Sequence, residues 1–307
     1  MERRITGILF ALCMALFCMM PAAVAAAESK TINDADTLKK AFSEGGTWKV
    51  ESDITVESNA DEAALLLDRK QLILDLNGRT ITVNATWPVQ VDGSLAALTI
   101  KDSVGTGALK SQTSSQNLIS VMKGTLTLES GSLISEKGYG IVPFNGGKVR
   151  VSGGRIQADL IGISGNATTD KTSPAYGSNT DIQISGGEIY GDRYGIYHPQ
   201  TGGKLTISGG QITGRRTGVE VRAGEAIVTS GTITGLHSST WGQPAENGTS
   251  SFGAGIALVQ HVNGAFLSLR VRSSVILLYT RQISRKTAMK PRRRSALNLP
   301  EASTRDQ

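Results

Sequence analysis

The sequence predicts an all-β protein that folds as a right-handed parallel β-helix, a solenoid of stacked three-stranded coils. Three observations lead to this prediction. A phrase of alternating apolar residues built around Ser-Gly recurs along the chain, the phrases are spaced by about 22 residues, and a Gly-aliphatic pair follows most of them. Such regularity is typical of repeat proteins in which each repeat forms one turn of a coil.

The repeated phrase occurs five times. Its copies are LTLESGSL (126–133), VRVSGGRI (149–156), IQISGGEI (182–189), LTISGGQI (205–212) and the weaker AIVTSGTI (226–233). The last glycine of the phrase falls at 131, 154, 187, 210 and 231, so the spacings are 23, 33, 23 and 21 residues. A constant period with one insertion of about ten residues fits a three-sided coil, whereas a β-sandwich, the alternative, predicts no fixed period.

Each phrase alternates apolar and polar residues, as Leu205 and Ile207 illustrate. This period of two is expected of a strand with one buried face. A Gly-aliphatic pair then opens a further short strand, at 140–141, 162–163, 195–196 and 218–219. We expect these corner glycines to supply backbone angles that other residues adopt only at a cost. Stacked coils would place aliphatic side chains on one another in a continuous interior column.

Residues 1–27 are predicted to be a signal peptide. Arg3 and Arg4 precede an apolar stretch over 5–20, and small residues over 25–27 offer a cleavage site. The apolar stretch is too short for a convincing membrane span, so we expect a secreted or cell-surface protein with no transmembrane segment in its mature chain. Both cysteines, Cys13 and Cys18, lie in this segment, which leaves packing and hydrogen bonds to stabilise the mature protein.

Residues 28–60 are predicted to cap the N-terminal end, and the β-helix itself is predicted over 61–264. Asn33, with Asp36 three residues later, resembles a helix N-cap, and apolar residues from Ala35 to Phe42 follow at helical spacing. A short helix at this place would cover the open end of the first coil, where unpaired strand edges otherwise invite aggregation.

Residues 265–307 form an irregular, basic tail outside the repeat. All 36 glycines lie at or before Gly264. Residues 261–307 carry 10 Lys/Arg and 2 Asp/Glu, whereas residues 1–260 carry 22 and 24, a net charge of −2. This division excludes a uniformly basic nucleic-acid-binding domain, and we expect no nucleic-acid partner.

Three explanations of the tail remain open. The first is a basic arm that binds nucleic acid, an anionic wall polymer or a membrane. The second is a disordered charged segment. The third is a change of reading frame near Ala265. If the tail leaves the last coil uncovered, we expect the protein to self-associate through that C-terminal end.

Two further segments carry a family resemblance. LDLNGRTI (74–81), LTIKDSVGTGAL (98–109) and the SGG-x-I phrases resemble the pectate-lyase-like superfamily of right-handed parallel β-helices, and in style the Gly-rich exported surface proteins of Gram-positive anaerobes. The resemblance covers residues 31–264. It implies the fold and leaves the function open, because lyases, hydrolases, tailspikes and adhesins share this architecture.

The repeat register predicts a charged edge. In three coils the last phrase glycine lies eight residues before the next Gly-aliphatic corner, which aligns equivalent positions of neighbouring coils. One column then holds Asp159, Asp192 and Arg215, and the next holds Leu160, Arg193 and Arg216. The candidate catalytic residues are Asp159, Asp192, Arg193 and Arg216. The two carboxylates could hold Ca²⁺ or divide acid and base roles, and the arginines could bind an acidic sugar as the resemblance to lyases implies. The alternative is a solvated charge ladder.

Other features argue against an enzyme. Sites like those of the polygalacturonases use Asn-x-Asp, Asp-Asp, His-Gly and Arg-x-Lys. Of these signatures only Asn-x-Asp is present, as Asn179-Thr180-Asp181. His198, His237 and His261 lack metal-ligand spacing and are expected in loops or at edges. No phosphate loop, nucleophile elbow or zinc motif occurs. We therefore expect no catalytic site and no cofactor other than Ca²⁺.

Two insertions could form a binding site, residues 165–180 and 236–252. Loops that project from a rigid scaffold are where ligand contacts usually accumulate. The predicted ligand-binding rings are Tyr176, Tyr194, Trp241 and Phe252, which could stack on sugar faces or, alternatively, pack their loops against the coil.

The expected function is adhesin-like binding of a polysaccharide or host-matrix glycan by an exported, non-catalytic protein. The first alternative is a polysaccharide lyase or glycoside hydrolase that acts on an acidic polysaccharide. The second is a structural stalk.

Overall fold

The computed structural model describes residues 29–114, 117–165, 179–236, 253–259, 267–271 and 276–278. In these residues one short helix, α1 (Ala35–Glu44), accompanies 25 strands, which confirms the all-β class. None of the described residues belongs to a helix with the length and hydropathy that a membrane crossing requires. The predicted signal peptide and the rings of Tyr176, Trp241 and Phe252 lie outside the described residues.

The strands are short and follow one another closely along the chain. The first twelve are β1 (Lys30–Ile32), β2 (Gly46–Val50), β3 (Ile54–Ser58), β4 (Leu65–Asp68), β5 (Gln71–Asp75), β6 (Thr80–Ala85), β7 (Val89–Asp92), β8 (Ala97–Lys101), β9 (Ala108–Ser111), β10 (Asn117–Met122), β11 (Thr125–Leu128) and β12 (Ser132–Ser135). The others are β13 (Tyr139–Phe144), β14 (Lys148–Val151), β15 (Arg155–Ala158), β16 (Ile161–Ser164), β17 (Asp181–Ile184), β18 (Glu188–Gly191), β19 (Tyr194–His198), β20 (Lys204–Gly214), β21 (Thr217–Val221), β22 (Gly224–Gly235), β23 (Ala254–Leu258), β24 (Leu267–Val271) and β25 (Ile276–Leu278).

The strands stack into a parallel β-solenoid with three faces, as predicted. The first face runs β2, β5, β8, β11, β14 and β17, and the second runs β3, β6, β9, β12, β15 and β18. Strands β20 and β22 each continue from the first face into the second. The third face is a separate sheet ordered β4, β7, β10, β13, β16, β19, β21 and β23. Every pairing between these strands is parallel.

Aliphatic side chains form the interior columns that the repeat predicts. In the third face Ile141 pairs with Ile163, Ile163 with Ile196, and Ile196 with Val219, and all four are buried. Like side chains therefore stack on like across successive coils. One coil could not bury this apolar face alone, which is why the repeats fold together.

The Ser-Gly-Gly phrase forms the corner between the first and second faces. In the copy at 185–187, the Ser185 hydroxyl donates to the Val151 carbonyl of the preceding coil at 3.3 Å. A Cβ on the next residue, Gly186, would lie 2.2 Å from the Ser152 carbonyl oxygen, so only glycine fits. The following Gly187 has φ 80°, which L side chains rarely adopt. Each position of the phrase thus has its own physical reason.

The corner glycines that open the third-face strands serve a purpose other than the predicted one. Gly140, Gly162, Gly195 and Gly218 do not have positive φ, so they are not required for backbone angles. They are required for space: a Cβ on Gly195 would lie 2.6 Å from Ile212 Cγ2 and 2.7 Å from the Gly218 carbonyl oxygen. The prediction was correct about their place and wrong about their role.

Helix α1 packs against the first coil as the predicted N-terminal cap. Its N-cap is Asp34, one residue later than the predicted Asn33, because the Asp34 carboxylate accepts from the Thr37 backbone N–H at 2.8 Å. The Thr37 hydroxyl in turn accepts from the Asp34 N–H at 3.1 Å, which completes a capping box. Leu38, Ala41 and Phe42 are buried in the core, and the helix contacts β1, β3 and β4.

Parallel pairing begins before residue 61 and continues beyond residue 264. Strand β2 pairs with β5 and β3 with β6, so the first coil starts within the segment that the sequence assigns to the cap. At the other end β24 and β25, within the basic tail, pair in parallel with β22. The three explanations of the tail stay predictions.

Carboxylates hold the corners of the early coils, where the Ser-Gly-Gly phrase is missing. Asp102 is buried, and its side chain accepts from the backbone N–H groups of Gly78 at 2.7 Å and Gly107 at 2.6 Å. Asp75 accepts from the N–H groups of Asn77 and Ser103, both at 3.0 Å. These carboxylates satisfy donors of two coils at once, which fixes turns that would otherwise leave buried N–H groups unpaired.

Candidate functional site

The predicted column of charges exists at the corner between the second and third faces. Ala158 pairs with Gly191, and Gly191 with Gly214, so the next residues, Asp159, Asp192 and Arg215, occupy equivalent positions of three successive coils. The Asp159 N–H donates to the Ser135 carbonyl and the Asp192 N–H to the Ala158 carbonyl, which continues the register through the corner. The sequence register thus predicted this alignment correctly.

An open groove of about 280 Å³ runs beside this column. Its lining combines three carboxylates, one aromatic ring, one amide and small or apolar groups. The lining residues are Ile134, Ser135, Glu136, Gln157, Ala158, Asp159, Tyr190 and Asp192. Ile134, Gln157 and Tyr190 pair across β12, β15 and β18, so they form one outward file parallel to the carboxylates. The Ser135 hydroxyl is buried and has no hydrogen-bond partner in the described part of the chain.

Asp192 is the carboxylate with the most partners. Arg215 Nη1 lies 3.2 Å from its Oδ1, and the Tyr190 hydroxyl donates to the same oxygen at 3.4 Å. Burial, and then the charge of Asp192, raise the pKa of Tyr190, so this hydroxyl stays protonated at neutral pH. The ion pair is part-exposed and therefore worth at most about 1 kcal/mol. Its main effect is to hold the Asp192 carboxylate where the Tyr190 hydroxyl contacts it.

Glu136 and Asp159 are exposed. Glu136 accepts from the Gln112 amide at 3.3 Å, and neither carboxylate forms a salt bridge with a described residue. The sequence register missed Glu136, because its coil has one extra residue between the last phrase glycine and Gly140. Counting five residues from each phrase glycine would have found it, since Gly131, Gly154 and Gly187 all precede a groove carboxylate by five.

The second predicted column also exists. The Arg193 N–H donates to the Leu160 carbonyl at 2.7 Å, and the Arg216 N–H donates to the Arg193 carbonyl at 3.0 Å. Both arginines are half-buried and engage in further interactions, so neither is a bare surface charge. Neither lines the groove. The acid–base and sugar-binding roles predicted for Asp159, Asp192, Arg193 and Arg216 stay predictions.

Of the four predicted ligand-binding rings, the structure describes Tyr194. Its side chain is 7 % exposed, and its ring stacks on Tyr197 with the centroids 5.7 Å apart. Burial, and then the Glu220 carboxylate, raise the pKa of Tyr194 to about 12. A ring in this position offers little surface to a ligand, whereas the part-exposed Tyr190 in the groove was not among the predicted rings.

A buried ion pair lies beside these tyrosines on the outward side of the third face. Arg222 Nε donates to Glu220 Oε1 at 2.6 Å, and both residues are at most 2 % exposed. The Arg222 guanidinium lies 5.3 Å from the centroid of the Tyr197 ring. Sequence reasoning missed the pair, because Glu220 alternates with inward-facing Val219 and Val221 and so looks like an ordinary surface residue.

His198 lies at the end of β19 and is completely buried, which corrects its predicted place in a loop or at an edge. Neither ring nitrogen has a hydrogen-bond partner among the described residues. Burial lowers the pKa of His198 to about 4, and the neighbouring Gly203 backbone offsets only part of this shift. A neutral, enclosed imidazole of this kind is a core residue and offers nothing to a ligand at the surface.

The described residues contain no group of three or more His, Cys, Asp or Glu side chains that could hold a metal ion. This finding does not concern a site formed by Asp159 and Asp192 alone, so Ca²⁺ binding by these two residues stays a prediction.

Comparison with known proteins gave no match to any protein-family model, any curated protein or any solved structure. The geometry itself establishes the fold, a parallel β-solenoid with three faces.

Proposed function

We propose that this protein is exported and binds carbohydrate, without turnover, through the groove beside the second face. The observation that supports the proposal is the file of Tyr190 and Gln157 parallel to Asp159 and Asp192. An aromatic ring can pack against the apolar face of a sugar, while amide and carboxylate oxygens accept hydrogen bonds from its hydroxyl groups.

The rigid scaffold supports the same proposal. Ile134, Gln157 and Tyr190 lie on strands β12, β15 and β18 at the coil spacing of about 4.8 Å, and each groove carboxylate follows directly at the end of its strand. A site on strands keeps its polar groups in place, so little side-chain entropy is lost when a ligand binds. An elongated ligand can extend along the stack and contact equivalent positions of several coils, as repeat proteins commonly allow.

The test is a glycan array followed by calorimetric titration of the best ligand. The variant Tyr190→Ala removes the ring, and the matched variant Tyr190→Phe keeps the ring but loses the hydroxyl contact to Asp192. We expect Tyr190→Ala to weaken binding about tenfold or more, which corresponds to about 1.4 kcal/mol, and Tyr190→Phe to weaken it much less. If both variants bind like the unchanged protein, the groove is not the site. If no glycan binds at all, a structural stalk becomes the better explanation.

A glycoside hydrolase is the second candidate, and the carboxylates on neighbouring coils favour it. Two carboxylates beside a bound sugar are the usual requirement for glycoside hydrolysis. Incubation with neutral and acidic polysaccharides, with and without Ca²⁺, tests this directly. Turnover that disappears in Asp192→Asn would replace the binding proposal with the enzymatic one.

Export is tested separately. Expression of the whole gene, followed by fractionation and N-terminal sequencing, should give a mature chain in the exported fraction that starts close after Ala27. An intact N-terminus in the cytoplasmic fraction would contradict export and leave the binding test unaffected.

A further inference from the structure

We propose that the groove selects glycans that carry free amino groups. This inference rests on the proposed function and adds the chemical class of the ligand. The groove lining holds three carboxylates, from Glu136, Asp159 and Asp192, and no basic side chain. Arg215, at the Asp192 end, neutralises one of the three. Lys137 follows Glu136 in the chain but does not line the groove.

The arrangement of these carboxylates suits a cationic sugar. Asp159 lies between the other two along the stack, so the three span two coil spacings, about 10 Å, in the direction of the groove. Asp159 and Glu136 are exposed and form no salt bridge with a described residue, so both can bind an ammonium group without first breaking an ion pair. Charge-assisted hydrogen bonds of this kind are roughly twice as strong as neutral ones.

The other side chains of the groove fit the uncharged part of such a ligand. The Tyr190 ring and Ile134 offer apolar surface, and the Gln157 amide can donate and accept. An acidic polysaccharide would place its own carboxylates against those of the protein, and such like-charge contacts are unfavourable. The charge of the groove therefore opposes the acidic substrate that the charged column suggested from sequence.

The experiment compares two oligosaccharides that differ only in their amino groups. Glucosamine hexamer and N-acetylglucosamine hexamer are titrated into the protein at about pH 6, where the free amine carries its proton. We expect the glucosamine hexamer to bind about tenfold more tightly at low ionic strength. The preference should shrink when salt is raised, because these carboxylates are exposed and screened.

Matched variants locate the effect. The double variant Glu136→Gln with Asp159→Asn should bring the affinity for the glucosamine hexamer close to that for the N-acetylated one. The control double variant Asp61→Asn with Glu129→Gln removes the same charge at exposed residues outside the groove and should keep the preference. All four sites are exposed, so the variants should fold, which circular dichroism checks.

Equal affinity for the two hexamers, or equal loss in the groove and control variants, would overturn the selection for amino groups. If both hexamers bind equally and Tyr190→Ala abolishes the binding of both, carbohydrate binding stands and the inference about charge fails. If neither hexamer nor any array glycan binds, both fail together.

Discussion

The early and late coils close the same corner by different means. In the early coils Asp75 and Asp102 each accept hydrogen bonds from backbone N–H groups of two successive coils. In the late coils the Ser-Gly-Gly phrase brings the backbones close, and each hydroxyl adds one long hydrogen bond, such as that of Ser185 at 3.3 Å. The first solution concentrates stability in single side chains. The second spreads it over a repeated backbone geometry, so no single hydroxyl matters greatly.

We expect the largest loss of stability from a substitution that removes the carboxylate of an early corner. Asp102→Ala should lower the free energy of unfolding by about 4 kcal/mol, because each buried N–H group left without an acceptor costs about 1–3 kcal/mol. Urea denaturation followed by circular dichroism measures the change. Asp102→Asn, which keeps one carbonyl acceptor, should lose clearly less. A loss below about 1 kcal/mol for Asp102→Ala would show that the carboxylate is not what holds the corner.

The next effect tests the close approach of backbones in the late coils. Gly195→Ala should cost about 3 kcal/mol, because its Cβ would lie 2.6 Å from Ile212 Cγ2 in a packed interior. Gly146→Ala is the control: Gly146 has φ 88° but no atom within 4 Å of a Cβ, so only backbone strain of about 1–2 kcal/mol is expected. A cost at Gly195 no larger than that at Gly146 would mean that neighbouring coils can move apart to admit a methyl group, so that close approach does not require glycine there.

The third prediction concerns pH and the buried imidazole of the late coils. The unfolded state binds a proton at His198 near pH 6.5, whereas the folded state binds it only near pH 4. The stability linked to this neutral side chain is therefore complete above pH 6.5 and falls as the pH decreases toward 4, by about 2 kcal/mol at pH 5.

The variant His198→Leu should lack this part of the pH dependence. It removes no hydrogen bond, since neither ring nitrogen has a partner in the described part. Urea titrations at pH 8 and pH 5 compare the two proteins, and the stability difference between the two pH values should be about 2 kcal/mol smaller in the variant. The same difference in both proteins would exclude His198 as its source.

We expect the smallest loss of stability from a substitution in a late corner. Ser185→Ala should change the free energy of unfolding by at most about 0.5 kcal/mol, because its hydrogen bond is long and the residue is exposed. Measured under the same urea conditions as Asp102→Ala, it should lose less than a fifth as much. A loss similar to that of Asp102→Ala would mean that the late corners depend on single side chains too.

Much of the candidate site followed from counting residues. The constant register placed Asp159, Asp192 and Arg215 in one column, because parallel coils of equal length align equivalent positions. The sequence register did not place Glu136 in this column, because one extra residue lengthens its corner. Tyr190 was passed over for Tyr194, since sequence alone did not show which ring faces the groove and which stacks on Tyr197.

By itself the sequence determined the coil: its period, its inward aliphatic columns, its helical cap and the places where glycine is needed. These follow from local alternation and spacing, which act on every coil in the same way. Only the tertiary structure decided why the corner glycines are needed, that Glu220, Arg222 and His198 are buried, and that the carboxylate column lines one groove with Glu136, Gln157 and Tyr190. Those properties depend on how closely neighbouring coils approach and on which side chains cover one another, and residue order alone does not specify such distances.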